Sequence, residues 1–316
     1  MYTDRSYTGM ENRSIEEIEK LRVKAANIIK TGSIISVSLS VLIALLTIIS
    51  GKYFGIALAF VLLIIGLIIT MIVSSKPSKE FKMAYKNTFV LKSLKSVFDD
   101  LEYNPERGFD YNVIKNTGMM YMGDRYSSND YIKGKYKNIN VEQADVHIEE
   151  EVTTTDSDGN TTTHYETLFM GQWMIFDFNK SFSANLQVCG KGFYNAKRGN
   201  WGSSLKYKKV EMEDTEFNKM FRVYAVDAHE AFYILTPSLM GRIKKLSNNI
   251  KGSLLLCFID NKLHIGISNN KDAFEASVFK KIDESKIIDS IASEIKLITN
   301  FVDELNLDND LFRKGV

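Results

Sequence analysis

Residues 32–75 constrain this chain more than any other stretch. Two apolar runs, 33–50 and 54–75, contain no charged residue and are separated only by Gly51, Lys52 and Tyr53. At helical rise each is about 27–33 Å long, close to the hydrocarbon thickness of a bilayer. A backbone in hydrocarbon must satisfy its own hydrogen bonds, so each run reads as a helix, and the short link makes the two antiparallel neighbours. The expectation is a transmembrane hairpin.

In the first run Ser33, Ser36, Ser40, Thr47 and Ser50 fall on one helical face; in the second Gly55, Ala59, Gly66 and Thr70 repeat at offsets of four and seven. Small stripes let backbones approach closely, so these faces are expected to pack on each other. A polar pathway along the Ser/Thr face is the sharper alternative. Two helices enclose no pore, however, and neither run holds an ionisable group.

Orientation follows from the flanking basic residues. Arg22, Lys24 and Lys30 precede the first run, Lys76, Lys79, Lys82 and Lys86 follow the second, and the link carries only Lys52. This places both termini on the cytoplasmic side of a two-span protein of the cell membrane. The first apolar run is too long and too late for a signal peptide, so the anchor is expected to be retained. Lysines at 76, 79, 82 and 86 also form a basic surface that favours an anionic leaflet.

Beyond the hairpin the chain is long enough for a sizeable core. A net charge of +1 gives no reason to expect nucleic acid, and two cysteines, Cys189 and Cys257, make no disulfide framework. The segments are read as follows. Residues 1–31 are a polar N-terminus and a juxtamembrane helix opened by a Ser14/Glu17 capping box. Residues 32–75 are the hairpin, 76–104 a basic amphipathic helix punctuated near Pro77, and 105–316 a cytosolic α+β domain. Within that domain, stretches 131–136, 139–151, 161–169, 172–178 and 183–188 read as an antiparallel meander. Asp156 to Asn160 forms a turn rather than a calcium loop, because its glycine is at the fourth position and position twelve is Thr167. Later, 221–226 is a strand, Asp227 and Thr236 each cap a helix, and 254–259 with 263–267 make a hairpin around Asp260 and Asn261. A final helix at 283–307 carries Ile288, Ile291, Ile295, Ile298, Val302 and Leu305 as an apolar seam, directed inside the chain or, alternatively, to an oligomer. The fold class is α+β: a two-helix transmembrane hairpin followed by a mainly antiparallel sheet with covering helices.

Chemical signatures are sparse. His229-Glu230 lacks the second histidine of a zinc-protease helix, since position 233 is Tyr233. The other histidines, His147, His164 and His264, have no ligand spacing, so no metal or cofactor is expected. Glycines and cations at 190–204 lack the phosphate-loop spacing, yet Lys197, Arg198 and Trp201 make that loop the best loop-borne candidate for ligand contact. Asp124, Asp130, Asp145, Asp177 and Asp227 lie on or beside expected strands, where paired carboxylates could serve a hydrolase. Turns, caps and ion pairs are the competing assignment for each of them. Where the sheet begins, Asp124, Arg125 and Asp130 are the candidate surface.

Seven motifs occur in register: Asp124-Arg125-Tyr126-Ser127, Asp130-Tyr131-Ile132-Lys133-Gly134, Asp177-Phe178-Asn179-Lys180, Val223-Tyr224-Ala225-Val226-Asp227, Leu235-Thr236-Pro237-Ser238-Leu239-Met240, Phe258-Ile259-Asp260-Asn261-Lys262-Leu263 and Asn270-Lys271-Asp272-Ala273-Phe274-Glu275. In that order, over about 81–305, the chain resembles the bacterial family called domain of unknown function 3137. The resemblance implies no activity and no catalytic residue. Members are often encoded near LemA-type membrane proteins, so it implies a membrane-associated assembly with such a partner. The function expected is that of a non-enzymatic, membrane-anchored protein whose cytosolic domain binds a protein partner or small ligand at the inner membrane surface. The alternatives are a membrane-tethered, carboxylate-based hydrolase and an anionic-lipid sensor.

Overall fold

The computed structural model describes residues 13–51, 54–177, 185–193, 207–305 and 307. They divide into two compact units, one of residues up to 93 with 275–291, the other of 94–274 with 292 onward.

The first unit is built on two long helices, α1 (Ile15–Ile49) and α2 (Phe54–Tyr85), each long and apolar enough to cross a membrane. Ser14 and Glu17 form the expected capping box, with the Glu17 amide donating to Ser14 Oγ at 3.3 Å and the Ser14 amide to Glu17 Oε2 at 2.8 Å. The small faces meet as their spacing requires. Ser40 Oγ donates to the Ala59 carbonyl at 2.8 Å, and Gly55, Ala59 and Thr70 are buried while nearly all the large apolar side chains point outward. At Gly66 a methyl group would come within 2.5 Å of Ser36 Oγ, so only glycine permits this approach.

The basic helix expected at 76–104 is corrected. Pro77 does not interrupt α2; it is buried on the same stripe as Ser74, Phe81 and Ala84, and that packing outweighs its lost hydrogen bond. After Tyr85 the helix widens by a π turn at Lys86–Val90, resumes as α3 (Leu91–Lys95), and gives way to a strand, β1 (Asp99–Asn104). Val97 and Phe98 both donate to the Leu94 carbonyl, which closes the helix. Glu275 receives Lys82 at 2.6 Å and Lys86 at 2.8 Å, and Arg22, paired with Glu19, donates to the Val278 carbonyl at 2.7 Å.

The second unit is an antiparallel sheet of nine strands among the described residues, in the order β1-β2-β3-β4-β9-β8-β5-β7-β6. Strands β2 (Arg125–Tyr136), β3 (Ile139–Thr155) and β4 (Thr161–Asp177) form the first part of the expected meander, with two differences: the strand expected at 183–188 does not pair with β4, because a later hairpin occupies that edge, and the break expected near 170 is absent. The separate stretches 161–169 and 172–178 are a single strand through Asp177, because Gly171, at φ +152°, stays in the ladder opposite both Val146 and Ser268. Between Gly171 and the hairpin tip, the outer arms of β3 and β4 are largely exposed, and Asp156 accepts from the Asp158 and Asn160 amides to make the turn.

Strands β8 (Ser253–Ile259) and β9 (Lys262–Ser268) are joined by Asp260 and Asn261, both left-handed, and insert between β4 and β5 (Leu186–Gly190). Strands β7 (Phe221–Ala225) and β6 (Lys208–Val210) complete the far edge. One face of the sheet, bearing Ala144, Val146, Trp173, Ile175, Leu255 and Cys257, is covered by Phe109, Met119, Met120 and Met122 and by Ile114 of α4 (Tyr111–Lys115). Helices α5 (Thr215–Met220), α6 (Ala228–Ile234) and α7 (Pro237–Asn249) lie between β6 and β8 in the chain, the last two capped by Asp227 and Thr236 as expected. The C-terminal helix α8 (Glu284–Leu305) buries Ile295, Ile298, Phe301, Val302 and Leu305, with the Phe301 ring 6.2 Å from that of Phe176. Its seam from Ile295 onward is therefore used within the chain.

Replacing Gly66 with leucine is expected to force α1 and α2 apart and destabilise the helix pair by about 1–3 kcal/mol. Unfolding by graded SDS in mixed micelles measures this, with Ile65→Leu, on an outward face, as the neutral control.

Candidate functional site

Two of the five carboxylates singled out in the sequence come together, and a third joins them from far along the chain. Oxygens of Asp130, Asp145 and Asp272 all lie within 4.8 Å of one another. Asp145 is central on β3, opposite Gln172 of β4. Asp130 lies where the β2–β3 register shifts between Asn129 and Ile132, and its left-handed backbone, φ +56°, belongs to that bulge. Asp272 follows β9 and is exposed, whereas Asp130 and Asp145 are buried.

The surrounding donors hold the carboxylates in place. Tyr103 Oη donates to Asp130 Oδ1 at 2.7 Å and Asn129 Nδ2 to Asp130 Oδ2 at 2.8 Å. The Ala273 amide donates to Asp145 Oδ2 at 2.6 Å, and Ser128 Oγ donates to the Asp145 carbonyl at 2.6 Å. Gln143, two residues from Asp145 and on the same face of β3, sets Nε2 at 3.5 Å from Asp145 Oδ1, a long and weak contact. Burial pushes the Asp145 carboxyl well above the ordinary carboxylate range, aided by a hydrogen bond shared with Asp272 and by the charges of Asp130 and Asp272; the Ala273 amide opposes the shift.

The remaining candidates have other positions. Asp124 accepts from the Glu151 amide at 2.8 Å, and the Arg125 guanidinium lies 3.4 Å from the centre of the Tyr165 ring. Both sit on the exposed arm, five or more residues from Asp130, about 17 Å by strand rise. Asp177 accepts from Asn140 Nδ2 at 2.5 Å, and Asp227 caps α6 through the His229 amide. Lys197, Arg198 and Trp201 lie outside the described residues. Near the ends of that loop, a hollow of about 250 Å³ is lined by Lys191, Lys209, Glu211 and Arg222. Of the four lysines proposed for a membrane surface, Lys76 and Lys79 are exposed, Lys82 shares Glu275, and Lys86 is buried on the same carboxylate, so Lys86 offers no free charge to a bilayer.

His264 on β9 belongs to the opposite face. It accepts from Trp173 Nε1 at 3.3 Å and is almost fully buried; burial, with the charge of Lys262 second, lowers its pKa to about 4. The Cys189 and Cys257 thiols are both buried, and Cys257 Sγ donates to the Thr117 carbonyl at 3.7 Å.

These geometries define an antiparallel-sheet α+β domain, in one chain with a pair of helices long and apolar enough to cross a membrane. Residues 167–307, a little under half of the chain, match the model of the family described as "Protein of unknown function (DUF3137)". The motifs beginning at Asp124 and Asp130 precede the match and the other five lie inside it. No curated protein matches the chain. Among solved structures, the crystal structure of the mycobacterial trehalose monomycolate transport factor A, TtfA, is similar at 10% identity and a TM-score of 0.37, covering 69% of this chain and 93% of that one. A likeness of that degree bears on neither site nor activity.

The buried groups set opposite pH trends. Because folding lowers the His264 pKa below its ordinary 6.5, the unfolded chain takes up the proton first, and stability present above about pH 6.5 is lost as pH falls towards 4. The loss is on the order of 3 kcal/mol. Urea titrations at pH 7 and 4.5 should show the wild type losing this increment relative to His264→Gln. Asp145 behaves in reverse: the folded state holds its proton above pH 3.8, so its carboxylate lowers stability as pH rises through the window above that value. Asp145→Asn is expected to raise the melting temperature at pH 7.5 in a chelator, read by intrinsic fluorescence.

Proposed function

We propose that this chain is an integral, two-span protein of the cell membrane with both termini in the cytoplasm. Its α+β domain binds a protein partner or a small ligand at the inner membrane surface. The observation that carries this reading is the arrangement of α1 and α2. Their small residues face each other and their Leu, Ile, Val and Phe side chains face outward along both helices, as lipid requires and water does not. The lysine-rich side of the hairpin supports the cytoplasmic orientation. A LemA-type membrane protein is the partner suggested by the family resemblance. Lipid sensing is a weaker reading, since Lys82 and Lys86 are both held by Glu275.

Topology is tested by thiol labelling, but the native thiols are unsuitable because Cys189 is 3% exposed and Cys257 0%. Thr162 on the exposed hairpin arm accepts a cysteine at a solvent-facing position. With Thr162→Cys, a membrane-impermeant maleimide is expected to leave intact cells unlabelled and to label the protein after permeabilisation. Labelling of intact cells would place the domain outside and overturn the orientation.

A further inference from the structure

We propose that Asp130, Asp145 and Asp272, with the side-chain oxygen of Gln143, form a binding site for one hard divalent cation, calcium by size.

Two independent observations converge. The first is the carboxylate geometry. Three oxygens within 4.8 Å of one another, from β2, β3 and the segment after β9, surround a point that an ion with bonds of about 2.3–2.6 Å can bridge. The second is an unused ligand. Gln143 is 0% exposed; its Nε2 faces Asp145, and its Oε1 is buried with no hydrogen-bond partner among the described residues. A buried amide oxygen left without a donor is costly, and with the amide turned towards the carboxylates a cation between them satisfies it. Turned over, the same amide presents Oε1 where Nε2 now stands, 3.5 Å from Asp145 Oδ1. On the neighbouring strand Gln172, directly opposite Asp145, also buries Oε1 without a partner among the described residues, while its Nε2 donates to Glu294 at 3.0 Å.

The donor set selects the ion. Carboxylate and amide oxygens are hard ligands, and neither histidine nor cysteine contributes to the group, which disfavours zinc and copper. The Ala273 N–H and the Gln143 amide that reach the Asp145 carboxyl are neutral and bring no positive charge to the group. Asp272, being exposed, provides the route from solvent and room for water to complete the coordination. Asp272 lies 142 residues after Asp130 and 127 after Asp145, so a bound ion would tie β2 and β3 to the segment that follows β9.

The test uses the full chain in detergent, stripped with EDTA and passed into chelator-free buffer. Terbium is added as a calcium surrogate and excited through tyrosine, with Tyr103 bonded to Asp130 as the sensitiser at the site. Sensitised emission is expected to saturate at one ion per chain and to be displaced by calcium, and calcium is expected to raise the melting temperature. Asp130→Asn and Asp145→Asn should abolish the emission and the shift, and Gln143→Leu should weaken terbium binding about tenfold or more. His264→Gln, on the other face of the sheet, should leave both unchanged. Asp145→Asn keeps the shape of the side chain, so its own melting curve separates loss of binding from loss of folding. An equal calcium shift in wild type and Asp145→Asn, or no binding at millimolar calcium in a folded wild type, would overturn the site.

Discussion

Pairing of β4 with β9 is the contact on which the second unit depends. It brings strands almost a hundred residues apart into register from Gly171–Ser268 to Asp177–Lys262, and it joins the sequential meander to the strands beyond it in one sheet. The approach is close enough that two glycines are required. A side chain on Gly171 would strike the Ile267 carbonyl, and one on Gly266 would come within 2.6 Å of the Trp173 ring. The Trp173 indole fills the space left by Gly266 and spends its N–H on His264, so packing and polar satisfaction are solved by the same ring.

The same pairing accounts for the acidic cluster. Once β3 is central it must be covered on both faces, and a polar residue there either finds partners or destabilises the fold. Ala144, Val146 and Ile148 fill one face. The other carries Gln143 and Asp145, with Gln172 opposite, where apolar side chains would pack more stably. Polar groups at such a position are a burden on folding. The bulge that turns Asp130 inward adds to that burden, since a non-glycine residue at φ +56° is conformationally unfavourable.

Much of the architecture was legible because local rules and tertiary packing agree. The Ser/Thr and Gly/Ala stripes at 33–50 and 55–70 encode one close helix contact, and Asp260-Asn261 encodes a tight turn between apolar strands. The seam of the last helix encodes a buried face. The failures came where tertiary context overrode local signals. Met170-Gly171 resembles a strand break, yet β9 holds the backbone straight through it. Pro77 resembles a stop, yet its ring is buried with the rest of its stripe. Of the site, Asp130 and Asp145 were visible as carboxylates on adjoining strands. Asp272 was not assignable, because only the β4–β9 pairing carries it back to them. A signal is present in Gln143, Asp145 and Gln172: polar residues at alternating and facing positions beside the buried apolar residues Ala144, Val146, Trp173 and Met174.

The length of the helices in the first unit has a mechanical consequence. α1 has 35 residues and α2 has 32, so at helical rise they reach about 52 and 48 Å, against a hydrocarbon layer of about 30 Å. With only a few residues linking them at one end, the surplus in each helix accumulates at the other. The pair then acts as a stiff lever. In the membrane-spanning arrangement proposed above, a slip of one helix past the other by four residues would move that end by about 6 Å.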